Sequence, residues 1–534
     1  YEYDPLGNLT TLTLPDGRKV NHLYYGCGHL HQLNLDGQVI SDMERDDLHR
    51  EVYRTQGKLT SCFGYDEMGR KARQYASMLP ADKLSQVHNT GINTSLLVEH
   101  AYNPIHRRYQ YDPAGELVRT LDKLRGEIKY EYEANGQLRS RDTGSLVGSE
   151  EFRYDPAGNR LDFNARQFAK SRDNRITHWR DQEYRYDPWG NLIEKCSEYG
   201  NRLQRFGYDG ENRLVRAETW VNGKLESTGH YRYDSLGRRV AKLAEINGQV
   251  EQKRFLWQGL RMLREETPGQ SILYLYEPGS YAPLARVDQA EGEEQKLYYF
   301  HTDQIGTPLE VTDSDGKIVW QATYRSWGAI ESLPINEIEQ NLRFQGQYFD
   351  SETGLHYNTF RYYGPEIGQF ITQDPIGLGG GWNLYKYANN PVVWVDPFGL
   401  DALSTLAERG YFGITKTLGG GLDYSGSNAL YAKNPGVNPI VVIEYTGNYI
   451  EDFEAANKVA ELNQKTTPRG YVWHHVDDYN PKTNKGTMQL VEQRAHQGVP
   501  HNGGVSQYKA ATGKAYTFPA RKPVAAKKAG GISC

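Results

Sequence analysis

One short phrase recurs through the first part of this chain and restricts what it can fold into. An aromatic residue, any residue, Tyr-Asp, two variable residues, Gly, a polar residue and Leu or Val appears as Tyr1-EYDPLGNL, Phe63-GYDEMGR, Tyr109-QYDPAGEL, Tyr130-EYEANGQL, Phe152-RYDPAGNRL, Tyr184-RYDPWGNLI, Phe206-GYDGENRL and Tyr231-RYDSLGRRV. Central tyrosines fall at 132, 154, 186, 208 and 233, with several steps near 22 residues. The alternation aromatic-x-Tyr puts both rings on one face of a strand. Asp-Pro-x-Gly is turn chemistry: Asp starts the turn, Pro fixes φ, and Gly accepts φ > 0. The strand resumes at Leu or Val, so the unit is a hairpin. One hairpin cannot bury its aromatic face alone, and neighbours are expected to stack edge to edge in a large antiparallel sheet.

Composition agrees with that reading. Only 38% of the 534 residues are apolar, yet 12% are aromatic, with 40 Tyr against 15 Phe. Disordered chains carry few aromatics, whereas Tyr suits wide, half-wet sheets. The length predicts at least two domains. Charge is uneven: residues 401–534 carry about +4 and residues 1–400 about −9, within a total of −5. Cys27, Cys62, Cys196 and Cys534 are scattered without a CxxC, which points to neither a disulfide framework nor a cysteine zinc site. No apolar run reaches 18 residues, so no spanning helix is expected. There is no initiator Met or signal-peptide pattern, and Tyr1 already lies inside a repeat; a fragment of a longer product is expected.

Two near-copies of one pentapeptide, Asp374-Pro-Ile-Gly-Leu378 and Asp396-Pro-Phe-Gly-Leu400, bracket a seam at 373–400. Their aspartates are 22 residues apart, with Gly379-GGW between them to allow reversal. If the two turns are equivalent, the carboxylates converge. Paired carboxylates in a dry pocket do not both ionise easily, which provides one base and one acid. Taken alone, both Asp-Pro pairs also fit plain turn formers, as in the repeats. His301 and Asp303 read as a buried pair rather than a site.

Beyond the seam the sequence changes character. Residues 401–436 look loop-like, Asn438-PIVVIEY reads as a strand, and Asn448-YIEDFEAANKVAEL as a helix capped by Asn448. His474, His475, His496 and His501 then crowd into one segment. Strands at 471–477 and 487–491, joined by the turn Asn480-PKTNKG, would be followed by a short helix carrying His496. Neighbouring strand residues point to opposite faces, so His474 and His475 would do different jobs. Strand, strand, helix with these histidines describes a ββα metal site holding one divalent cation, Zn²⁺ or Mg²⁺.

The repeats resemble the YD repeats of Rhs proteins and of the C components of Tc toxins. That resemblance implies a mostly β fold: an antiparallel sheet spiralling into a hollow shell around a C-terminal toxin. About 400 residues is short for a closed shell, so a missing N-terminal part or a second chain is expected to complete it. Residues 298–372 resemble the end of the Rhs core, whose PxxxxDPxGL-type signature precedes self-cleavage after the last Leu. Carried over, the scissile bond is Leu400–Asp401, Asp374 and Asp396 form an aspartyl dyad, and Arg361 accompanies them, holding a carboxylate ionised or binding an oxyanion. The expected layout is a YD shell over 1–345, core end and seam over 346–400, the start of the toxin over 401–469, and its nuclease core with a basic tail over 470–534.

Trp473-His-His475, Met488-QLV and His496-QGVPHNGG resemble the toxin branch of the HNH/endonuclease VII superfamily. The resemblance implies His475 as general base, His474, His496 and His501 as metal ligands, and Gln489 as the group orienting the base. Asp477 or Asp478 could replace one ligand. Arg494, Lys509, Arg521 and Lys522 are expected to meet nucleic-acid phosphates. The combined expectation is a small α+β nuclease acting on DNA, made in a bacterial cytoplasm with a cognate immunity protein. It would be secreted with the help of a chaperone or a type VI spike, to act in the cytoplasm of a target cell. Rival readings are a Tc-type component delivered to eukaryotic cells and a structural, surface-binding YD protein.

Overall fold

The computed structural model describes residues 1–26, 28–79, 103–161, 170–197, 199–277, 279–400, 411, 414–417, 421–462, 466–496 and 503–517. The chain divides into two compact units, Tyr1–Tyr111 with Glu116–Thr405, and Asp112–Gly115 with Leu406–Cys534. Among the described residues no helix is long and apolar enough to cross a membrane.

The first unit is built of hairpins, as the repeats require. A 13-stranded sheet runs from Glu2–Tyr3 to Glu150–Glu151, and a 16-stranded sheet from Lys170–Arg172 to Ile330–Asn336. In both, every strand pairs with the next in sequence, and every pairing is antiparallel. The register slips by one residue at the repeat tyrosine, between Gly64 and Tyr65, Glu131 and Tyr132, Gly207 and Tyr208, and Arg232 and Tyr233. Such bulges add twist and bend a long sheet.

Two hydrogen-bond rules explain the repeat's grammar. The Asp carboxylate closes its own turn: Asp4, Asp66, Asp209 and Asp234 accept at Oδ1 from the amides two and four residues on. Oδ2 then takes the side chain four residues on, Asn8 on Asp4, Arg70 on Asp66, Asn191 on Asp187, Arg213 on Asp209 and Arg238 on Asp234, at 2.7–2.9 Å. The tyrosine ties each hairpin to the preceding one. Its hydroxyl donates to the carbonyl where the previous repeat's strand resumes: Tyr132 to Leu117, Tyr154 to Leu138, Tyr208 to Leu192, Tyr233 to Leu214 and Tyr276 to Met262, at 2.6–2.7 Å. Where the ladder reaches Arg239 the donor is Trp257 Nε1, at 2.8 Å. The second aromatic therefore needs a polar donor, while the first can be Phe. A Tyr208→Phe exchange strands the Leu192 carbonyl and is expected to cost about 1–2 kcal/mol in chemical denaturation.

The turn aspartates also set an acid limit. Burial works against ionisation, but the following arginines and the turn amides win and hold the Asp46, Asp209 and Asp234 carboxyls below their ordinary value of 3.8. Groups depressed in the folded state stabilise it fully above the unfolded value and lose that contribution as pH falls through the folded one. The contribution of these turns is expected to be constant from neutral pH down to about 4 and to be lost below it. The imidazoles of His106, His301 and His356 are held below their ordinary 6.5 by burial, so the shell loses stability already as pH falls through about 6.5. Denaturation midpoints against pH would show both.

The two large sheets pack through an aliphatic layer, with Leu12, Val20, Leu30 and Leu33 of the first against Leu273, Leu284 and Val287 of the second. Buried cations bind them further: Arg107 pairs with Asp122 and Glu310, and Arg125 reaches Glu310 and the Ala322 carbonyl. His301 and Asp303 each have their own partner, the Thr312 hydroxyl for His301 and the amides of Ile305 and Thr307 for Asp303. A four-stranded sheet, Tyr348–Asp350, Leu355–Asn358, Arg361–Gly364 and Gln369–Phe370, packs Leu355, Tyr357 and Tyr362 on the aromatic face of the second large sheet. Buried Asp350 is bonded there by Arg239 and Lys242. This small sheet carries Arg361.

The second unit holds a three-stranded sheet in the order Ile440–Glu444, Lys485–Glu492, Tyr471–His475. Helix Tyr449–Val459 is capped by Asn448, whose side chain accepts from the amides of Ile450 and Glu451. Strand Lys485–Glu492 runs directly into the short helix Gln493–His496, which gives the expected ββα order.

Candidate functional site

In the seam pentapeptides the residue after Gly is Leu, not Asn or Arg. The turn remains: Asp374 Oδ1 accepts from Ile376 N at 3.0 Å and Asp396 Oδ1 from Leu400 N at 2.9 Å. The cation for Oδ2 comes from elsewhere, and both turns use the same one. Arg361 Nη2 lies 3.1 Å from Asp374 Oδ2 and 3.7 Å from Asp396 Oδ2. The same nitrogen donates to the carbonyl oxygen of Leu400 at 2.9 Å. Arg361 Nη1 holds the Leu384 carbonyl, Nε holds that of Gly399, and the guanidinium lies 3.6 Å over the Phe370 ring. All three side chains are almost fully buried. One guanidinium thus joins two carboxylates and three peptide carbonyls, that of Leu400 among them, in a dry site, where charge interactions are strong.

The histidines form two groups. His474 Nδ1 stands 3.2 Å from His496 Nε2, and His474 Nε2 is bonded to the Leu422 carbonyl at 2.8 Å. That carbonyl places the His474 proton on Nε2 and leaves the Nδ1 lone pair toward His496. Two nitrogens at about 2.0–2.1 Å from one tetrahedral cation stand about 3.4 Å apart, so the pair fits a shared metal. A metal-binding histidine commonly gives its other N–H to a carbonyl in this way. Among the described residues no cluster of three or more His, Cys, Asp or Glu has ligand spacing; His501 lies outside the described residues.

His475 has different neighbours. Its Nε2 bonds to Asp452 Oδ2 at 3.1 Å, inside a wall of Tyr445, Tyr449, Phe453 and Tyr516 rings. Asp452 is fully buried and also accepts from the Tyr516 hydroxyl and from the amide and hydroxyl of Thr446. Burial pulls the His475 imidazole below its ordinary pKa, against the opposing pull of Asp452. For Asp452 burial pushes upward, but bonds from His475, Tyr516 and Thr446 hold the carboxyl below the usual range. The result is a neutral imidazole with Nε2–H on a carboxylate and a lone pair on Nδ1.

Residues 110–392, more than half of the chain, match the family model described as Teneurin YD-shell. The chain belongs to the Teneurin YD-shell family. Residues 463–511 match the model of a nuclease of the HNH/ENDO VII superfamily with conserved WHH. The YD-shell chain is 42% identical over 428 residues to Double-stranded DNA deaminase toxin A of Burkholderia cenocepacia, covering 75% of this chain and 28% of that one. It is 35% identical over 467 residues to Toxin protein Tse5 of Pseudomonas aeruginosa, covering 75% and 34%. It is 31% identical over 398 residues to Probable deoxyribonuclease RhsA of Dickeya dadantii, covering 72% and 26%. The chain thus spans about a third or less of the length of these relatives. The crystal structure of TcdB2-TccC3-TEV shares the shell fold, with a TM-score of 0.52 at 20% identity over 75% of this chain and 21% of that one.

Within the YD shell, Asp374, Asp396 and Arg361 meet at the Leu400 carbonyl; Asp401 lies outside the described residues. In the WHH domain, Trp473 anchors the motif by donating to Asn457 of the long helix at 2.8 Å. Gln489 does not orient His475. It stands opposite His474 in the register, so its side chain shares the His474 face, where it bonds to Asp423 and the Tyr424 amide. The carboxylate on His475 is instead Asp452. Asp477 and Asp478 are engaged with Thr417 and Thr487 rather than with His474. Arg494 is exposed on the short helix, Lys509 is half-buried on Gly504–Thr512, and Arg521 and Lys522 lie outside the described residues.

Proposed function

We propose that this chain is part of a Rhs-type toxin whose YD shell encloses a metal-dependent DNase and cuts the polypeptide after Leu400. One observation carries the self-cleavage: the two aspartates whose repeat partner is replaced by Leu share a single guanidinium with the Leu400 carbonyl. Two carboxylates against one cation favour a state in which one keeps its proton. The ionised one takes a proton from water, whose oxygen attacks the Leu400 carbon. Arg361 Nη2 stabilises the oxyanion, and the protonated carboxyl delivers its proton to the departing Asp401 nitrogen. The products are a Leu400 carboxylate and an Asp401 amine. Intact-mass spectrometry of the purified chain is expected to give fragments 1–400 and 401–534.

For the nuclease, His474 and His496 would hold a divalent cation with His501, and Asp452 fixes His475 with its free lone pair on Nδ1. When bound, the cation supplies Lewis-acid stabilisation of the phosphate and the leaving oxygen. His475 Nδ1 accepts the proton of the attacking water. His474 and His475 are consecutive at a strand end, so a phosphodiester lying across that end meets both. The His474→Ala variant is expected to lose at least about 10-fold in Zn²⁺ affinity by isothermal titration, while the Asp452–His475 pair is untouched. DNA as the substrate rests on the WHH match and on the relatives named as deoxyribonucleases or DNA toxins. The relatives named as toxins support a toxin role, and with that role go, as parts of the same proposal, secretion by a type VI apparatus, action in a target cell and an immunity protein in the producer.

A further inference from the structure

The segment Asp396–Leu400 is held along its length by one hairpin, strands Leu355–Asn358 and Arg361–Gly364, in which Asn358 faces Arg361. Asn358 Nδ2 donates to the Asp396 carbonyl at 2.9 Å and the Phe360 amide to the Phe398 carbonyl at 3.1 Å. Arg361 donates from Nε to Gly399 O and from Nη2 to Leu400 O. Four carbonyls of the pentapeptide are thus taken up by three residues of this turn, Asn358, Phe360 and Arg361. The turn is strained to do this: Thr359 is β-branched and sits at φ 50°. Contact is close enough to dictate sequence. A Cβ on Gly399, already at φ 68°, would stand 2.6 Å from the Asn358 carbonyl oxygen, and one on Gly346 would overlap the Pro397 carbonyl. Phe398 is buried, edge-on to Tyr281 at 5.2 Å. Asn358 is fully buried and its Oδ1 takes no hydrogen bond, an open acceptor beside the bound segment.

We propose that the hairpin Asn358–Arg361 is the substrate-binding cleft of the self-protease: it selects Phe-Gly-Leu before the cut and keeps the new Leu400 carboxylate afterwards, so each shell cuts only its own chain. The inference rests on the self-cleavage reading. Hydrolysis adds the water oxygen to the Leu400 carbon and sends the amine away with Asp401, leaving the new Leu400 carboxyl at Arg361 beside Asp374 and Asp396. The other three carbonyl contacts, at Asp396, Phe398 and Gly399, are unchanged by the cut. The product therefore keeps the cleft occupied, and no second chain can enter.

The test mixes wild-type chain with a tagged Asp374→Asn chain and follows both by denaturing electrophoresis and mass spectrometry. The wild type is expected to be cut and the tagged chain to stay whole. Gly399→Ala, which displaces the scissile segment, is expected to slow cutting in cis by about 100-fold or more, and Asn358→Ala by about 10-fold. Both should leave the shell's melting temperature within a few degrees of wild type. Cutting of the tagged chain in trans, or Gly399→Ala cutting at the wild-type rate, overturns the cleft while leaving self-cleavage intact. A wild-type chain that is never cut overturns the self-cleavage reading and the cleft with it.

Discussion

Asp374→Asn leaves the polypeptide in one piece. Asparagine has the shape of aspartate, and its carbonyl oxygen can still accept from the Ile376 amide, so the turn survives. What disappears is the charge facing Arg361 and the ability of Oδ2 to take or give a proton. Loss of one member of an acid–base pair typically costs about 10²–10⁴ in rate, and cutting after Leu400 is expected to fall by at least that much. Asp187→Asn is the matched control. Asp187 closes the same kind of turn, but its Oδ2 is taken by Asn191 within the repeat, and its loss should leave cutting unchanged. If Asp374 were only a turn former, the two variants would behave alike.

Asp452→Asn is expected to lower nuclease turnover by about 10²–10⁴ with little change in KM or metal affinity. Asp452 accepts from His475 and Tyr516 on one oxygen and from Thr446 on the other. An asparagine amide cannot accept on both sides. If its NH₂ turns to His475, Nε2 must become the acceptor and the proton moves to Nδ1, the nitrogen that has to be free for catalysis. His474 and His496 lie in the other histidine group, so Zn²⁺ titration should give the wild-type affinity. Full turnover in Asp452→Asn would show that His475 needs no carboxylate and has another role.

The parts of the fold that depend on neighbours in sequence were legible. Hairpins, turns and the capped helix follow from patterns a few residues long, and the order of the two large sheets is simply chain order. The ladder of tyrosine hydroxyls was not legible, because alternation identifies a buried ring but not the carbonyl one repeat back that fixes it as Tyr. The seam was half legible. Equal pentapeptides suggested converging carboxylates, and the resemblance supplied Arg361. The replacement of Asn or Arg by Leu378 and Leu400 gained meaning only once the repeat turns showed what that position does. Asn358 and Phe360 act across nearly 40 residues and carry no motif. Asp452 did leave a trace. It sits with Tyr449, Phe453, Ala456 and Ala460 at helical spacing, an acid in an apolar stripe, which calls for a buried partner. The neighbour of Gln489 is not legible, because a motif does not fix the pairing register that sets it opposite His474 and on the same face.

The most direct measurement is nicking of supercoiled plasmid by the purified chain with Mg²⁺ or Zn²⁺, run beside His475→Ala and a chelator control. The account predicts relaxed and then linear DNA from the wild type, and none from His475→Ala or in EDTA. Nicking that persists in His475→Ala, or a wild-type chain that leaves DNA intact with either metal while cutting RNA, would contradict it.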